Sequence, residues 1–369
     1  MKRERLYSLD VLRGLDMMLL VVLGPAVKAA HGVWGLPPRL MAQLRHGWEC
    51  FTLWDMIMPL FIFMCGAAVP FALGRRLEED GRAGRRFWRH VLWRVAMLWV
   101  LGMIVQGNLL SLDPAKINPY SNTLQAIAAG YLASACVMLI RSKPVRIAAP
   151  IAFALVYTLL LAFGGDYAEH GNFAYKTDIA ILEALLPADS AYLAKPNHYT
   201  WFSTSLMFAA MTLCGFHATS ILTEGECGRK TRAVRLFAYG AALEAVGWAV
   251  SPWIPVIKPI YTLSFTAQAM GWSVIALAAL YVITDILMIR RGFGITLLYG
   301  QCALVAYVCG GFLRPVFAKL AEILLQGLPH VFGSSSFMPF AVVCVSIVEV
   351  GLALAAWRRL RNAGKAGSA

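Results

Sequence analysis

Apolar segments of about 20 residues, separated by short polar connections, run along most of the chain. Roughly 20 consecutive apolar residues are enough to cross a bilayer as a helix. Ten segments meet this requirement, near residues 11–30, 51–73, 88–107, 122–140, 146–163, 200–222, 233–250, 261–287, 295–318 and 336–357. The pattern predicts an all-α polytopic membrane protein of about ten transmembrane helices, forming a single domain over residues 1–369.

The distribution of basic residues between these segments predicts the orientation. With a cytoplasmic N-terminus, 24 of the 33 Lys and Arg residues fall in or beside cytoplasmic connections. Cytoplasmic loops of membrane proteins carry this excess of Lys and Arg, so both termini are expected in the cytoplasm. The first apolar segment is too long for a cleaved leader, and we expect it to be the first spanning helix.

The composition supports the same class. Hydrophobic residues make up 59% of the chain and charged residues 14%, whereas soluble domains have about 25% charged residues. The net charge of +13 therefore indicates topology, and we expect lipid rather than nucleic acid as the surrounding partner. Most of the eight cysteines lie in apolar segments without metal-site spacing, so no metal is expected.

The second apolar segment contains the most unusual chemistry. His46 precedes it, and Asp55 lies just inside it. A carboxylate in such a segment costs about 2.5–3.5 kcal/mol on insertion scales and therefore needs a protein or water partner. His46 is the nearest candidate and could act as a general base oriented by Asp55. The alternative is an interfacial belt of Trp residues with an incidental histidine.

The first segment begins with three charges on one helix face, Asp10, Arg13 and Asp16, with Ser8 as a candidate N-cap. They suggest either a structural ion-pair network or a seat for an anionic group. A cluster of seven arginines between residues 75 and 94 includes Arg75 and Arg76. It suggests either contact with anionic lipid or, together with Arg13, recognition of phosphate.

Further polar residues lie at the mouths of later segments. Asn122 and Gln125 open the fourth segment and are expected to face the protein interior. Lys258 stands before a proline at the eighth segment, which also contains Ser264. Lys258 is either a site residue or a snorkelling anchor.

The longest connection, residues 164–199, is placed outside the cytoplasm. Carboxylates, histidines and aromatic residues alternate in it, and residues 179–186 are apolar enough for a short surface helix. This mixture suits a sugar, although a solvated loop is the alternative.

The chain resembles the heparan-α-glucosaminide N-acetyltransferase family, specifically its bacterial relatives. The resemblance rests mainly on the run from Arg5 to Gly14 and on the run from Trp48 to Gly66, which contains Asp55. Supporting matches are Leu124-Gln125, residues 171–175, Ser203-Thr204 and residues 258–264, so the similarity covers most of the chain in order.

The resemblance implies an acyltransferase of the bacterial inner membrane. Its donor would be cytoplasmic acetyl-CoA and its acceptor an amino sugar or glycan on the periplasmic side, and a homodimer is a further expectation. His46 matches the family's active-site histidine, although it stands two residues before Trp48 where the family has three. For such a reaction, candidates for binding the acceptor or for stabilising the oxyanion are Asn122, Gln125, Lys258 and Ser264. The family's Leu-Gln-Arg is Leu124-Gln125-Ala126 here. These departures leave two alternatives, a sugar transporter and a non-catalytic sugar-binding protein.

Overall fold

The computed structural model describes residues 6–74, 76–77, 83–120, 122–190, 193, 202–224, 227–328, 330 and 337–366. Helices account for 76% of the chain, and the described residues form no strand beyond one isolated bridge. Seven described helices are long and apolar enough to cross a membrane. The predicted class, an α-helical polytopic membrane protein, is therefore confirmed at this level.

Helices occur at all ten predicted segments. In chain order they are α1 (Tyr7–Met18), α2 (Gly24–Trp34), α3 (Pro38–Ala42), α4 (Ile57–Ala72), α5 (Arg85–Val105), α6 (Thr123–Met138), α7 (Lys143–Gly164), α8 (Phe173–Leu185), α9 (Ser205–Thr223), α10 (Arg229–Val250), α11 (Leu263–Tyr281), α12 (Gly294–Gln301), α13 (Ala303–Gly310), α14 (Arg314–Leu325) and α15 (Met338–Ala366). A π-helical turn, Leu19–Leu23, joins α1 to α2, and another, Val282–Ile286, follows α11. The segments near 11–30 and 261–287 therefore each contain a π-helical turn. The segment near 295–318 is divided among α12, α13 and α14.

The chain divides into two compact units. One contains residues 46–51 and 58–282, and the other contains residues 6–45, 52–57 and 283–369. The single domain over residues 1–369 stays a prediction.

In the first unit, glycines let α4 and α9 approach closely. A Cβ atom at Gly66 would overlap the carbonyl oxygen of Thr212, and one at Gly215 would overlap that of Phe63. Because lipid is as apolar as a hydrophobic side chain, helices in membranes associate largely through such close packing of small residues. The pair therefore forms a tightly packed centre of this unit, and α6 joins it through Gly130 against Phe208 and Thr212.

In the second unit, α1 packs against α12 in the same way. A Cβ atom at Gly14 would overlap the carbonyl of Thr296, and one at Gly300 would overlap that of Asp10. The start of α1 is held by Asp285, whose carboxylate accepts from the backbone amides of Ser8 at 2.9 Å and Tyr7 at 3.2 Å. Ser8 is therefore not the N-cap that the sequence suggested: it lies inside the helix and its hydroxyl has no described partner.

The connection between α7 and α9 contains α8, which begins earlier than the predicted surface helix. Asn172 caps it by accepting from the amide of Tyr175 at 2.7 Å. Asp178 on α8 is 5% exposed and accepts from the amides of Phe202 and Ser203 at 3.1 and 3.0 Å. The helix thereby orders the approach to α9.

Candidate functional site: His46 and Lys258

The candidate site is built on a turn that precedes α11. The amide of Tyr261 donates to the carbonyl of Lys258 at 2.9 Å, and the amide of Thr262 donates to that of Ile257 at 3.2 Å. The Thr262 hydroxyl closes the turn by accepting from the amide of Ile257 at 3.1 Å. Ser264 donates from its hydroxyl to the carbonyl of Pro255 at 2.9 Å, so this predicted acceptor-binding residue supports the same turn.

Tyr261 holds this turn in a strained conformation. Its φ is +47°, in the left-handed region that non-glycine residues seldom adopt, which costs about 1–3 kcal/mol. The ring is fully buried, and its hydroxyl donates to the sulfur of Met58 at 2.8 Å. The hydroxyl of Tyr157, also fully buried, donates to the carbonyl of Ile260 at 2.6 Å. These contacts fix the position of the Lys258 backbone.

Residues 46–51 lie against this turn. Glu49 and Ile257 form an antiparallel β-bridge. The ring of Phe51 lies 5.6 Å from that of Phe265, and the indole of Trp48 donates to the carbonyl of Tyr167 at 3.0 Å. The segment that carries His46 is therefore attached to α11 and to the connection after α7.

The result is a contact between two residues 212 positions apart. Lys258 Nζ lies 3.3 Å from His46 Nδ1. Lys258 is 5% exposed whereas His46 is exposed, so the imidazole is accessible from outside the protein and the amine is almost covered. A hydrogen bond of this kind needs one nitrogen to donate and the other to accept, which couples the protonation of the two side chains.

Asp55 is fully buried and has a described local partner. One carboxylate oxygen accepts from the amide and the hydroxyl of Thr52, at 3.1 and 2.8 Å, and the amide of Asp55 donates back to that hydroxyl at 3.3 Å. This reciprocal pattern resembles the capping box that begins many helices. It engages one oxygen of the carboxylate ahead of α4, and the predicted orientation of His46 by Asp55 stays a prediction.

Asn122 and Gln125 are fully buried, as expected for side chains facing the interior. They form the capping box of α6: Asn122 accepts from the amide of Leu124 at 2.7 Å, and Gln125 accepts from that of Asn122 at 3.1 Å. The amide group of Gln125 donates to the carbonyl of Pro119 at 2.6 Å. These bonds give both buried side chains a structural role at the start of α6. Their role in stabilising an oxyanion stays a prediction.

The predicted charge network of the first helix is smaller than expected. Arg13 lies 3.7 Å from Asp10, but Asp16 does not join them, since neither of its carboxylate oxygens has a hydrogen-bond partner within the described part of the chain. Arg76 is exposed, and Arg75 lies outside the described residues. Recognition of phosphate by these arginines stays a prediction.

The sequence did not single out Tyr157, Tyr261 or Thr262, although they build the turn. Their roles depend on contacts with distant residues or on an unusual backbone angle, so no local pattern could reveal them. Among the described residues, no group of three His, Cys, Asp or Glu side chains is placed to hold a metal ion.

Comparison of the sequence with known proteins does not assign it to a family. No protein-family model matches the chain, and no curated protein sequence matches it.

Proposed function

We propose that the protein is a membrane acyltransferase that moves an acetyl group from acetyl-CoA to an amino sugar or glycan on the opposite side of the membrane. The observation that carries this proposal is the contact of the exposed His46 with the buried Lys258. The resemblance to N-acetyltransferases described above supports the reaction type.

The chemistry requires a base. As the acceptor amine attacks the thioester carbon, the C–N bond forms, the C–S bond breaks and the nitrogen must lose a proton. Imidazole is suited to accept this proton near neutral pH. The proton finally passes to the CoA thiolate, so the products are the N-acetyl sugar and CoA.

Lys258 determines which nitrogen of His46 acts as the base. The proposed reaction requires Nδ1–H of His46 to donate to the Lys258 amine, so that the lone pair on Nε2 takes the proton of the acceptor. When Nε2 takes that proton, Nδ1 can release its own proton to Lys258. The lysine then has the orienting role that a carboxylate has in other catalytic histidine pairs.

The charge distribution supports the arrangement across the membrane. The excess of basic residues favours a cytoplasmic position for both termini, and with them for the arginines proposed for CoA. The membrane proposed is a bacterial inner membrane, as the resemblance implies. With ten spans, the connections that contain His46 and Lys258 lie on the periplasmic side, where a glycan acceptor is available.

Thiol release from acetyl-CoA by the purified protein, with glucosamine as the acceptor, tests the proposal. We expect release that depends on the acceptor and is abolished in His46→Ala. His330→Ala is a matched control, because His330 is also exposed but lies in the connection between α14 and α15, which has no part in the proposed site. Equal release by wild type and His46→Ala would contradict the proposed base. Sugar binding without release would favour the non-catalytic alternative, and uptake of labelled sugar would favour the transporter.

A further inference from the structure

A crevice of about 700 Å³ lies on another part of the first unit. Helices α9 and α11 form its floor, and α7 and α10 form its two walls. We call it the lateral crevice. Its apolar lining includes Ile147, Ile151, Leu155, Leu243, Val246 and Met270.

The lateral crevice opens toward the surroundings of the protein. Its wall residues Ile151, Leu155 and Val246 are 58%, 50% and 45% exposed. Only 17% of the apolar stretch of α7 and 22% of that of α10 are buried, compared with 72% for α9. Because these helices are long enough to cross a membrane, the surroundings of the crevice are lipid.

One end of the crevice is charged. Lys143 and Arg146 at the start of α7, Glu224 after α9 and Arg235 on α10 all line it. Lys143 lies 3.7 Å from Glu224, whereas the guanidinium groups of Arg146 and Arg235 form no ion pair with any described residue. The crevice therefore combines an apolar body with two cations at one end that have no ion-pair partner in the described part of the chain.

The length of the crevice matches one leaflet. The lining residues of α7 run from Lys143 to Leu155, which corresponds to about 18 Å of helix at 1.5 Å per residue. The hydrocarbon core of a bilayer is about 30 Å thick, so one leaflet contributes about 15 Å. A chain extending from the charged end would reach the middle of the membrane.

We propose that the lateral crevice binds an anionic phospholipid, with one acyl chain along α7 and its phosphate beside Arg146 and Arg235. An arginine side chain can bind a phosphate through two parallel hydrogen bonds, so Arg146 and Arg235 are well suited to hold the phosphate of a lipid headgroup. The uneven distribution of basic residues places this end in the cytoplasmic leaflet.

Native mass spectrometry of the purified full-length protein, titrated with phosphatidylglycerol or with phosphatidylcholine of the same chains, tests the proposal. We expect one phosphatidylglycerol to bind more tightly than phosphatidylcholine. Leu155→Trp fills the crevice and should weaken the binding of this lipid at least tenfold. Val156→Trp is the matched control: it is adjacent, equally exposed at 50% and outside the lining. Equal binding by the two tryptophan variants would overturn the site.

A second pair of variants tests the headgroup. Arg235→Gln should reduce the preference for phosphatidylglycerol about fivefold, since one basic residue near an anionic surface contributes about 1 kcal/mol. Lys230→Gln, on the same helix but outside the lining, should leave the preference unchanged. An unchanged preference in Arg235→Gln would overturn the assignment of the phosphate. Displacement of the lipid by free glycerol phosphate would show that the site recognises a soluble phosphate instead, and would also overturn the proposal.

Discussion

Lys258 and His46 meet because a backbone bridge between Glu49 and Ile257 brings their two segments together. The bridge joins backbone atoms, so it sets the distance between the side chains without using either of them. Substituting Lys258 should therefore change the chemistry of His46 more than the fold.

Lys258→Met should lower kcat for thiol release, because the base His46 loses the partner that orients it. The expected loss is about 100-fold or more, which is the usual contribution of a positioned general base. The KM for the acceptor should change little, because Lys258 is buried and acts through His46. Lys176→Met is the control, since Lys176 is an exposed cation in the connection after α7. A parallel loss in both variants would indicate a general effect of charge and not a role at His46. Steady-state kinetics with varied acceptor measures both parameters.

The support of the turn can be tested through stability. Tyr157→Phe removes the buried hydroxyl that donates to the Ile260 carbonyl and leaves that carbonyl unpaired. The expected cost is about 1–3 kcal/mol of unfolding free energy, measured as a lower melting temperature in detergent. Tyr7→Phe loses only an exposed contact of 3.4 Å to the carbonyl of Arg290 and should leave the melting temperature unchanged. Equal melting temperatures of Tyr157→Phe and wild type would show that this bond does not hold the turn.

Two glycine substitutions distinguish close helix packing from helix propensity. Gly66→Ala places a methyl group against the Thr212 carbonyl and should destabilise the protein by about 1–3 kcal/mol, the usual cost of overpacking. Gly32→Ala, where nothing lies within 4 Å, should be neutral or stabilising by up to about 1 kcal/mol, since alanine favours helix. The same melting-temperature assay measures both, and a stable Gly66→Ala would contradict the close approach of α4 and α9.

Asp285 should be a cap for α1. Asp285→Ala removes the acceptor of two backbone amides, and a helix cap contributes about 0.5–2 kcal/mol. Glu322→Ala breaks only an exposed pair with Lys319 and should leave the melting temperature unchanged. Faster hydrogen exchange at the amides of Tyr7 and Ser8 in Asp285→Ala would locate the effect, and unchanged exchange there would contradict the capping role.

The positions of the helices were predictable because a spanning helix needs a long apolar run, and this signal is local. The interruption at residues 19–23 was not predictable, since Leu and Val fit a π-helical turn and an α-helix equally well in sequence. The cap of α1 was predicted wrongly for a related reason. Ser8 is a local signal, whereas Asp285 comes from 277 positions away.

For the site, the sequence indicated His46 and Lys258 separately but not as a pair. Each was unusual for its place at the mouth of an apolar segment, and only the fold shows that the two mouths meet. Asp55 shows the opposite case. The spacing from Thr52 to Asp55 is the local signature of a helix cap, and the structure contains the corresponding bonds.

The pairing of α10 with α11 has a consequence for how the protein is made. The two helices pack along their lengths through Gly240 and Gly247 and are joined by only residues 251–262, so they can enter the membrane together as a hairpin. The connection between them carries a single basic residue, Lys258, whereas residues 229–235 at the other end of the hairpin carry four. Since basic residues favour the cytoplasmic side, we expect insertion of the hairpin to move the connection, and not the four basic residues, across the bilayer.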